Sequence, residues 1–228
     1  MYMKAVILAA GRGKRMMPLT ADIPKPLLKV GGKTLLDHTI GLLPDDISEI
    51  IIVVDYLKDQ IVDHVRKNYP LKKFVFLHQK ECDGTGAAVM LAEPYLRNDK
   101  FIVLFSDDLH SKKAVAELAR CDLALLVKEA EHPERFGVVG VKNGNYVKNI
   151  VEKPEKPETN LVNAGIHVLD DRIFNYKPQK HSNGEYYLTD MIHDMAQDYL
   201  VRAVKTDFWM PLGYPDDLKN AEKILPPL

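Results

Sequence analysis

Little in this chain of 228 residues would hold a disulfide framework or a zinc site, because Cys82 and Cys121 are its only thiols and stand far apart. Net charge is nearly absent as well. The 31 basic side chains meet 32 acidic ones, and a balance of −1 offers no global attraction to nucleic acid or to an anionic membrane. No apolar run approaches the roughly 20 residues needed to span a bilayer. Neither a low-complexity linker nor a hexapeptide repeat interrupts the chain. The first strand pattern begins at Lys4, directly behind Met1-Tyr2-Met3, so no signal peptide is expected. These absences predict a cytoplasmic protein with reduced thiols, no nucleic-acid partner and no membrane partner; they leave a homo-oligomer open.

Two familiar phosphate motifs are missing too. A P-loop needs Gly-Lys followed by Ser or Thr after four spacer residues, and no such string occurs. A dinucleotide fingerprint needs a third glycine where Met16 stands, and Asp55 lies too far downstream, behind prolines, to serve as its ribose acid. A dehydrogenase is therefore improbable.

What the chain does carry is concentrated between Leu8 and Leu28. The apolar run Ala5-Val6-Ile7-Leu8-Ala9 reads as a buried strand and empties into Gly11-Arg12-Gly13-Lys14-Arg15. Glycines just past a strand end let backbone N–H groups approach a ligand closely. Three cations in four residues suit a polyanion such as a triphosphate. Pro24 and Pro26 are expected to hold the chain extended around Lys25, aiming one ammonium at a fixed point. A solvated basic loop would need neither the glycines nor the Pro-Lys-Pro. Met16 and Met17 are expected to pack in the core.

Strand-like runs alternate with helical patterns. Strands are predicted near residues 4–9, 49–55, 73–78, 101–105 and 122–128, and helical spacing recurs among Leu35, Leu36, Thr39, Ile40 and Leu43 and among Leu57, Ile61, Val62 and Val65. This alternation predicts an α/β fold: a mixed, mostly parallel sheet covered by helices on both faces. Ligands of such sheets bind outside the carboxyl ends of the strands, where Gly11, Gln79 and Asp107 all fall. The second half is richer in strand, with runs near residues 136–141 and 146–151 flanking an Asn143-Gly144 hairpin signal, then runs near 161–169 and 200–205. A helix carries Leu188, Met191, Ile192 and Met195. Pro215-Asp216-Asp217 opens a last short helix, the acids suiting its N-terminus. Residues 1–228 read as one domain, with a β-rich lobe near 130–200.

Two further sites carry chemistry. Gln79 ends a strand ahead of Gly84-Thr85-Gly86, and a primary amide offers a donor and an acceptor that match the imide edge of uracil or thymine. Phe101-Ile102-Val103-Leu104-Phe105 runs into Ser106-Asp107-Asp108. A buried strand ending in two acids suits Mg²⁺, which takes one or two carboxylates together with phosphate oxygens and water. His110, two residues past Asp108, could contact an acceptor. His110, His132 and His167 do not fall at metal-ligand spacing.

The stretch LAAGRGKRMMPLT with its following PKPL closely resembles the signature of the sugar-phosphate nucleotidyltransferases, the nucleotide-sugar pyrophosphorylases. Lys14 stands where that family usually has Thr or Ser. The resemblance implies a Rossmann-like nucleotidyltransferase fold in a short form without the β-helical domain of some relatives. It implies that Arg15 holds the departing pyrophosphate and that Lys25 approaches the α-phosphate. It implies nucleotide contacts at Leu8, Ala10, Gly11, Gly13, Gln79, Gly84 and Thr85, with Gly86 in place of a usual Ala. It makes Asp107 the Mg²⁺ ligand, with Ser106 in place of a usual Gly. Phe136-Gly137-Val138, Glu152-Lys153-Pro154 and Asn163-Ala164-Gly165 resemble acceptor elements of the family. Gly137, Glu152 and Asn163 would face the sugar, and Lys153 the acceptor phosphate. One departure stands out: where the family often has a second metal-ligand Asp after a Trp, this chain has Pro211. Asp207 could assist the metal instead.

The expected reaction joins a nucleoside triphosphate, UTP or dTTP by preference, to a sugar 1-phosphate with release of pyrophosphate. Two other readings stay open: cytidylyl transfer to phosphocholine or another non-sugar phosphate, and a non-catalytic nucleotide-sugar sensor, which Pro211 would permit.

Overall fold

In the computed structural model, which describes residues 3–81 and 83–225, alternate residues of each central strand feed two separate cores. Met1, Tyr2, Cys82 and residues 226–228 lie outside the described residues, so the expectations for the Cys82 thiol and the first two residues have no structural counterpart. The strands are β1 (Lys4–Ala9), β2 (Lys29–Val30), β3 (Lys33–Thr34), β4 (Glu49–Val54), β5 (Phe74–His78), β6 (Lys100–Phe105) and β7 (Asp108–His110) in the first half. They continue as β8 (Ala124–Glu129), β9 (Gly137–Lys142), β10 (Tyr146–Glu152), β11 (Leu161–Asp170), β12 (Arg202–Lys205) and β13 (Trp209–Pro211). The helices are α1 (Leu35–Leu42), α2 (Lys58–Asn68), α3 (Thr85–Leu91), α4 (Glu93–Leu96), α5 (Lys112–Leu118), α6 (Leu188–Asp198) and α7 (Pro215–Ile224).

Among the described residues, nine strands form one sheet in the order β5-β4-β1-β6-β11-β8-β12-β10-β9. β5, β4, β1 and β6 are mutually parallel, and β12 is parallel to β8. Only β11 and β10 run against the rest, each antiparallel to its neighbours. The sheet is therefore mixed, as the alternating pattern predicts, with its parallel pairs concentrated in the first half of the chain.

Side chains of a strand point alternately to opposite faces, and the cores show it. Val6, Ile51, Val53, Phe101 and Val103 face one core with α3, α4 and α6, built on Val89, Leu96, Leu188, Met191, Ile192 and Met195. Ala5, Ile7, Ile50, Ile52, Ile102 and Leu104 face the other with α1, α2 and α5, built on Leu36, Ile40, Ile61, Val65, Val115 and Leu118. Each fully buried Leu or Ile is worth roughly 1.5–3 kcal/mol over its exposed form, so two full cores fix the strand ends that carry the cleft. Asn143 and Gly144, at φ 47° and 87°, turn β9 into β10.

The sequence pattern did not reveal a third, smaller core. Met16, Leu28, Val30, Leu35, Leu109, Leu212 and Ala221 gather from segments distant in sequence. They tie the β2–β3 ribbon, the β7–β13 pair and α7 beneath the glycine loop. Met17 departs from the expected core role and is 54% exposed. It caps a single 3₁₀ turn at Lys14–Met16, and in so tight a turn only one of the two methionines can point inward.

Candidate active site

β1 delivers the chain into the glycine loop at the carboxyl edge of the sheet. Gly13 adopts φ 61°, and a Cβ there would meet Thr20 Cγ2 at 3.0 Å and Lys25 Cβ at 3.1 Å. Its carbonyl accepts from the Met16 N–H at 2.8 Å and from the Thr20 hydroxyl at 2.9 Å, which closes the loop on itself. Arg12 turns away, 57% exposed and 3.9 Å from Asp55, while Lys14 and Arg15 line a cleft of about 550 Å³.

Lys25 is not held extended, as the flanking prolines suggest. Pro24 is extended, but residues Lys25–Leu27 form a 3₁₀ turn in which Leu27 N–H donates to Pro24 O at 2.8 Å and Leu28 N–H to Lys25 O at 3.0 Å. Pro26 fits near the start of such a turn, where its missing N–H costs nothing. The ammonium is aimed all the same: Nζ lies 2.6 Å from Asp107 Oδ2, and only 7% of the residue is exposed.

Asp107 and Asp108 share a sequence but not an environment. Asp107 leaves the end of β6 with 38% of its side chain exposed, beside Lys25. Asp108 is buried at the start of β7, accepting from the Trp209 indole N–H at 2.9 Å and the Leu212 N–H at 3.4 Å. Burial, aided by the Asp107 charge, pushes the Asp108 carboxyl up to about 7, against the opposing pull of Lys25, Trp209 and Leu212. Asp108 thus anchors β7 to β13.

Among the described residues no cluster of three His, Cys, Asp or Glu side chains could hold a metal. The exposed carboxylate of Asp107 would fit a hard divalent cation such as Mg²⁺, which takes one or two carboxylates. Pro211 pairs with Asp108 in register and lines the cleft beside it. Asp207 does not take its place. β13 runs antiparallel to β7 with Trp209 opposite His110, which carries residue 207 past the far end of the pair; Asp207 hydrogen-bonds Ser111 and the Phe208 N–H instead.

Gln79 is buried at the end of β5, and its amide nitrogen donates to Asp83 Oδ1 at 2.7 Å and to Gly84 O at 3.1 Å. Both amide hydrogens are engaged within the protein. The glycines behind it have a packing cause. Gly84 sits at φ 101°, where a Cβ would strike the Tyr186 backbone, and Gly86 N–H donates to Tyr186 O at 2.9 Å. Thr85 Oγ1 accepts from Leu188 N–H at 3.0 Å, so α3 is stapled to the entry of α6.

The β-rich half supplies the opposite wall. Glu152, at the end of β10, accepts from the Thr189 hydroxyl at 2.9 Å and lies 3.5 Å from Lys153 Nζ. Lys153 has φ 44°, uncommon for a residue with a Cβ, and its N–H donates to Phe136 O at 3.0 Å. Its ammonium packs 4.9 Å from the Tyr187 ring centre. Burial would lower the Lys153 pKa, but Glu152, Tyr187 and Glu185 outweigh it and the net shift is upward. Asn163 Oδ1 accepts from Gly165 N–H and pairs with His167 Nε2, both at 3.0 Å. His110 is not a cleft residue. Its ring nitrogens are buried without partners among the described residues, and it lies close enough to His167 for charge on the two rings to interact.

The cleft is lined by Leu8, Ala10, Gly11, Gly13, Arg15 and Lys25 from the first segment. It is also lined by Gln79, Gly84, Thr85 and Asp107 from the middle, and by Gly137, Glu152, Lys153 and Asn163 from the second half. Sequence reasoning missed Arg135, Tyr187, Thr189 and Trp209 as lining residues. Arg135 had a signal, a cation directly ahead of Phe136-Gly137-Val138; Tyr187 and Thr189 had none, since they stand among core residues of the α6 entry.

A family model described as nucleotidyl transferase matches residues 4–226. The bifunctional protein GlmU of Methanocaldococcus jannaschii is 40% identical over 231 residues, covering 98% of this chain and 54% of that protein. The chain thus spans about half the length of that relative. The UTP–glucose-1-phosphate uridylyltransferase AglF of Haloferax volcanii is 33% identical over 239 residues, covering 98% of this chain and 96% of its own. A Bacillus anthracis protein assigned as a glucose-1-phosphate thymidylyltransferase, solved with a sucrose, superposes with a TM-score of 0.85 at 26% identity, covering 98% of this chain and 95% of its own.

Proposed function

The chain belongs to the nucleotidyl transferase family, and from that premise we propose that its cleft joins a nucleoside triphosphate to a sugar 1-phosphate, giving a nucleoside diphosphate sugar and pyrophosphate. The observation that carries this reading is the Lys25–Asp107 pair, 2.6 Å apart between the glycine loop and the β-rich wall. UTP or dTTP is the donor, and glucose 1-phosphate or an N-acetylhexosamine 1-phosphate the acceptor. AglF, named for uridylyl transfer to glucose 1-phosphate, supports that choice. We read residues 1–228 as one nucleotidyltransferase domain, with residues near 130–200 on the acceptor side, and place its work in the cytoplasm.

The chemistry follows from charge. An oxygen of the acceptor phosphate attacks the α-phosphorus, the bond from that phosphorus to the bridging oxygen breaks, and its electron pair leaves with pyrophosphate. The nucleophile is already ionised, so no side chain need remove a proton. The residues position the reactants and neutralise charge. Lys25 neutralises the α-phosphate, Arg15 grips the leaving group with a forked guanidinium, and Lys153 holds the acceptor phosphate. Glu152 accepts from sugar hydroxyls, with Gly137 and Asn163 shaping the pocket. Asp107 would hold Mg²⁺, which when bound supplies further neutralisation of the phosphates. The carbonyl oxygen of Gln79 would accept the imide N–H of uracil or thymine.

Pyrophosphate release tests the reading, with Mg²⁺, five nucleoside triphosphates, and either sugar 1-phosphates or phosphocholine. Release with UTP or dTTP and a sugar 1-phosphate is expected. Release only with CTP and phosphocholine would replace the acceptor class, and nucleotide binding without any release would make the chain a sensor.

A further inference from the structure

Five cations line the cleft: Lys14, Arg15, Lys25, Arg135 and Lys153. Lys25 and Lys153 have carboxylate partners in Asp107 and Glu152. Among the described residues, Arg15 and Arg135 have no ion-pair partner. Both instead face one aromatic ring, their guanidinium carbons 5.2 Å and 5.3 Å from the centre of Tyr214.

The arrangement is built from three segments. Arg15 comes from the glycine loop. Arg135 comes from a 3₁₀ turn at Pro133–Arg135, just ahead of β9. The next residue, Phe136, meets Trp209 edge-on at 5.0 Å, which pins that turn to β13. The Tyr214 backbone is fixed by Asp217, whose Oδ2 accepts from the N–H groups of Gly213 at 2.8 Å and Tyr214 at 2.7 Å. A ring face does not satisfy the five N–H donors of a guanidinium, so both arginines keep donors for an anion. Two guanidiniums gathered at one ring, neither with a carboxylate partner among the described residues, place two forked donors beside the cleft.

We infer that Arg135 is a nucleotide-binding residue that forms, with Arg15 and on the scaffold of Tyr214, a two-arginine grip for the terminal phosphates of the triphosphate. The ligand class is a polyphosphate: the β- and γ-phosphates before transfer and pyrophosphate after it. The grip bridges the glycine loop and the β-rich wall. This deepens the proposed function and rests on it.

Calorimetric titration with inorganic tripolyphosphate, compared with UMP, tests the inference. Arg135→Ala is expected to weaken tripolyphosphate about tenfold or more, the size of a lost charge-assisted contact, and to leave UMP within about twofold. Arg135→Lys should restore part of the loss. Tyr214→Leu, which removes the scaffold but neither cation, should weaken tripolyphosphate in the same direction. Arg135 is exposed, so its replacement leaves the cores intact. Tripolyphosphate binding unchanged in Arg135→Ala overturns the inference alone. A wild-type protein that binds UMP but no tripolyphosphate overturns the inference and the polyphosphate reading of the cleft together.

Discussion

Lys25 Nζ and Asp107 Oδ2 lie 2.6 Å apart although 82 residues separate them, joining a proline-bounded turn to the end of β6. That partner offsets the cost of burying a lysine only 7% exposed. Lys25→Ala and Asp107→Ala should each lower turnover by about 100-fold or more, the usual scale of a lost electrostatic contact at a reacting phosphate. Steady-state pyrophosphate release checks this, and rates near wild type would remove both residues from the mechanism.

Pro211 lies opposite Asp108 in register and faces the cleft. Pro211→Asp should therefore add a carboxylate near Asp107 and tighten divalent-metal binding in the presence of nucleotide. Mn²⁺ titration followed by electron paramagnetic resonance measures it; an unchanged Mn²⁺ affinity would show that residue 211 does not reach the metal.

Gln79 presents its carbonyl oxygen because Asp83 and Gly84 take its amide hydrogens. Gln79→Leu should reduce the preference for UTP over CTP by about tenfold or more, since a lost acceptor leaves the imide N–H unpaired. Competition between the two triphosphates reads the ratio directly.

Gly84→Ala should destabilise the fold by about 2 kcal/mol or more, because φ 101° is strained for any side chain and the added Cβ would lie 2.8 Å from Tyr186 N. Thermal unfolding checks it. A midpoint equal to wild type would mean that the α3–α6 staple yields freely.

His167 is buried and pairs with Asn163, so it acts on the cleft by positioning that amide. Burial, with a smaller contribution from His110, depresses its pKa to about 3. The unfolded chain then takes up a proton near the usual value of 6.5 that the folded chain refuses until about pH 3. This histidine's contribution to stability is full above pH 6.5 and falls progressively toward pH 3. Urea unfolding at pH 7 and pH 5 should show wild type losing more stability than His167→Gln. Equal losses would contradict the assignment.

The sheet and its helices were legible because β1, β4 and β6 carry long apolar runs, and because helical spacing placed Ile61 and Val65 on one side. The β7–β13 pair was not. Three-residue strands have no period to read, and the pairing of Trp209 with His110 is set by a core assembled from Met16, Leu109 and Leu212. The residue types of the cleft were legible through the glycine loop and the acids after β6. Partnership was not: no local pattern tells that Asp108 turns inward to Trp209 while Asp107 turns to Lys25, or that Arg135 shares a ring with Arg15.

The central claim is transfer of a nucleotidyl group to a phosphate with pyrophosphate as the leaving group. Phosphorus NMR of the protein mixed with UTP, glucose 1-phosphate and Mg²⁺ tests it most directly. The account predicts loss of the UTP and glucose 1-phosphate resonances with matched growth of a sugar-diphosphate pair and of pyrophosphate. UTP left intact, or orthophosphate growing without any sugar-diphosphate signal, would contradict it.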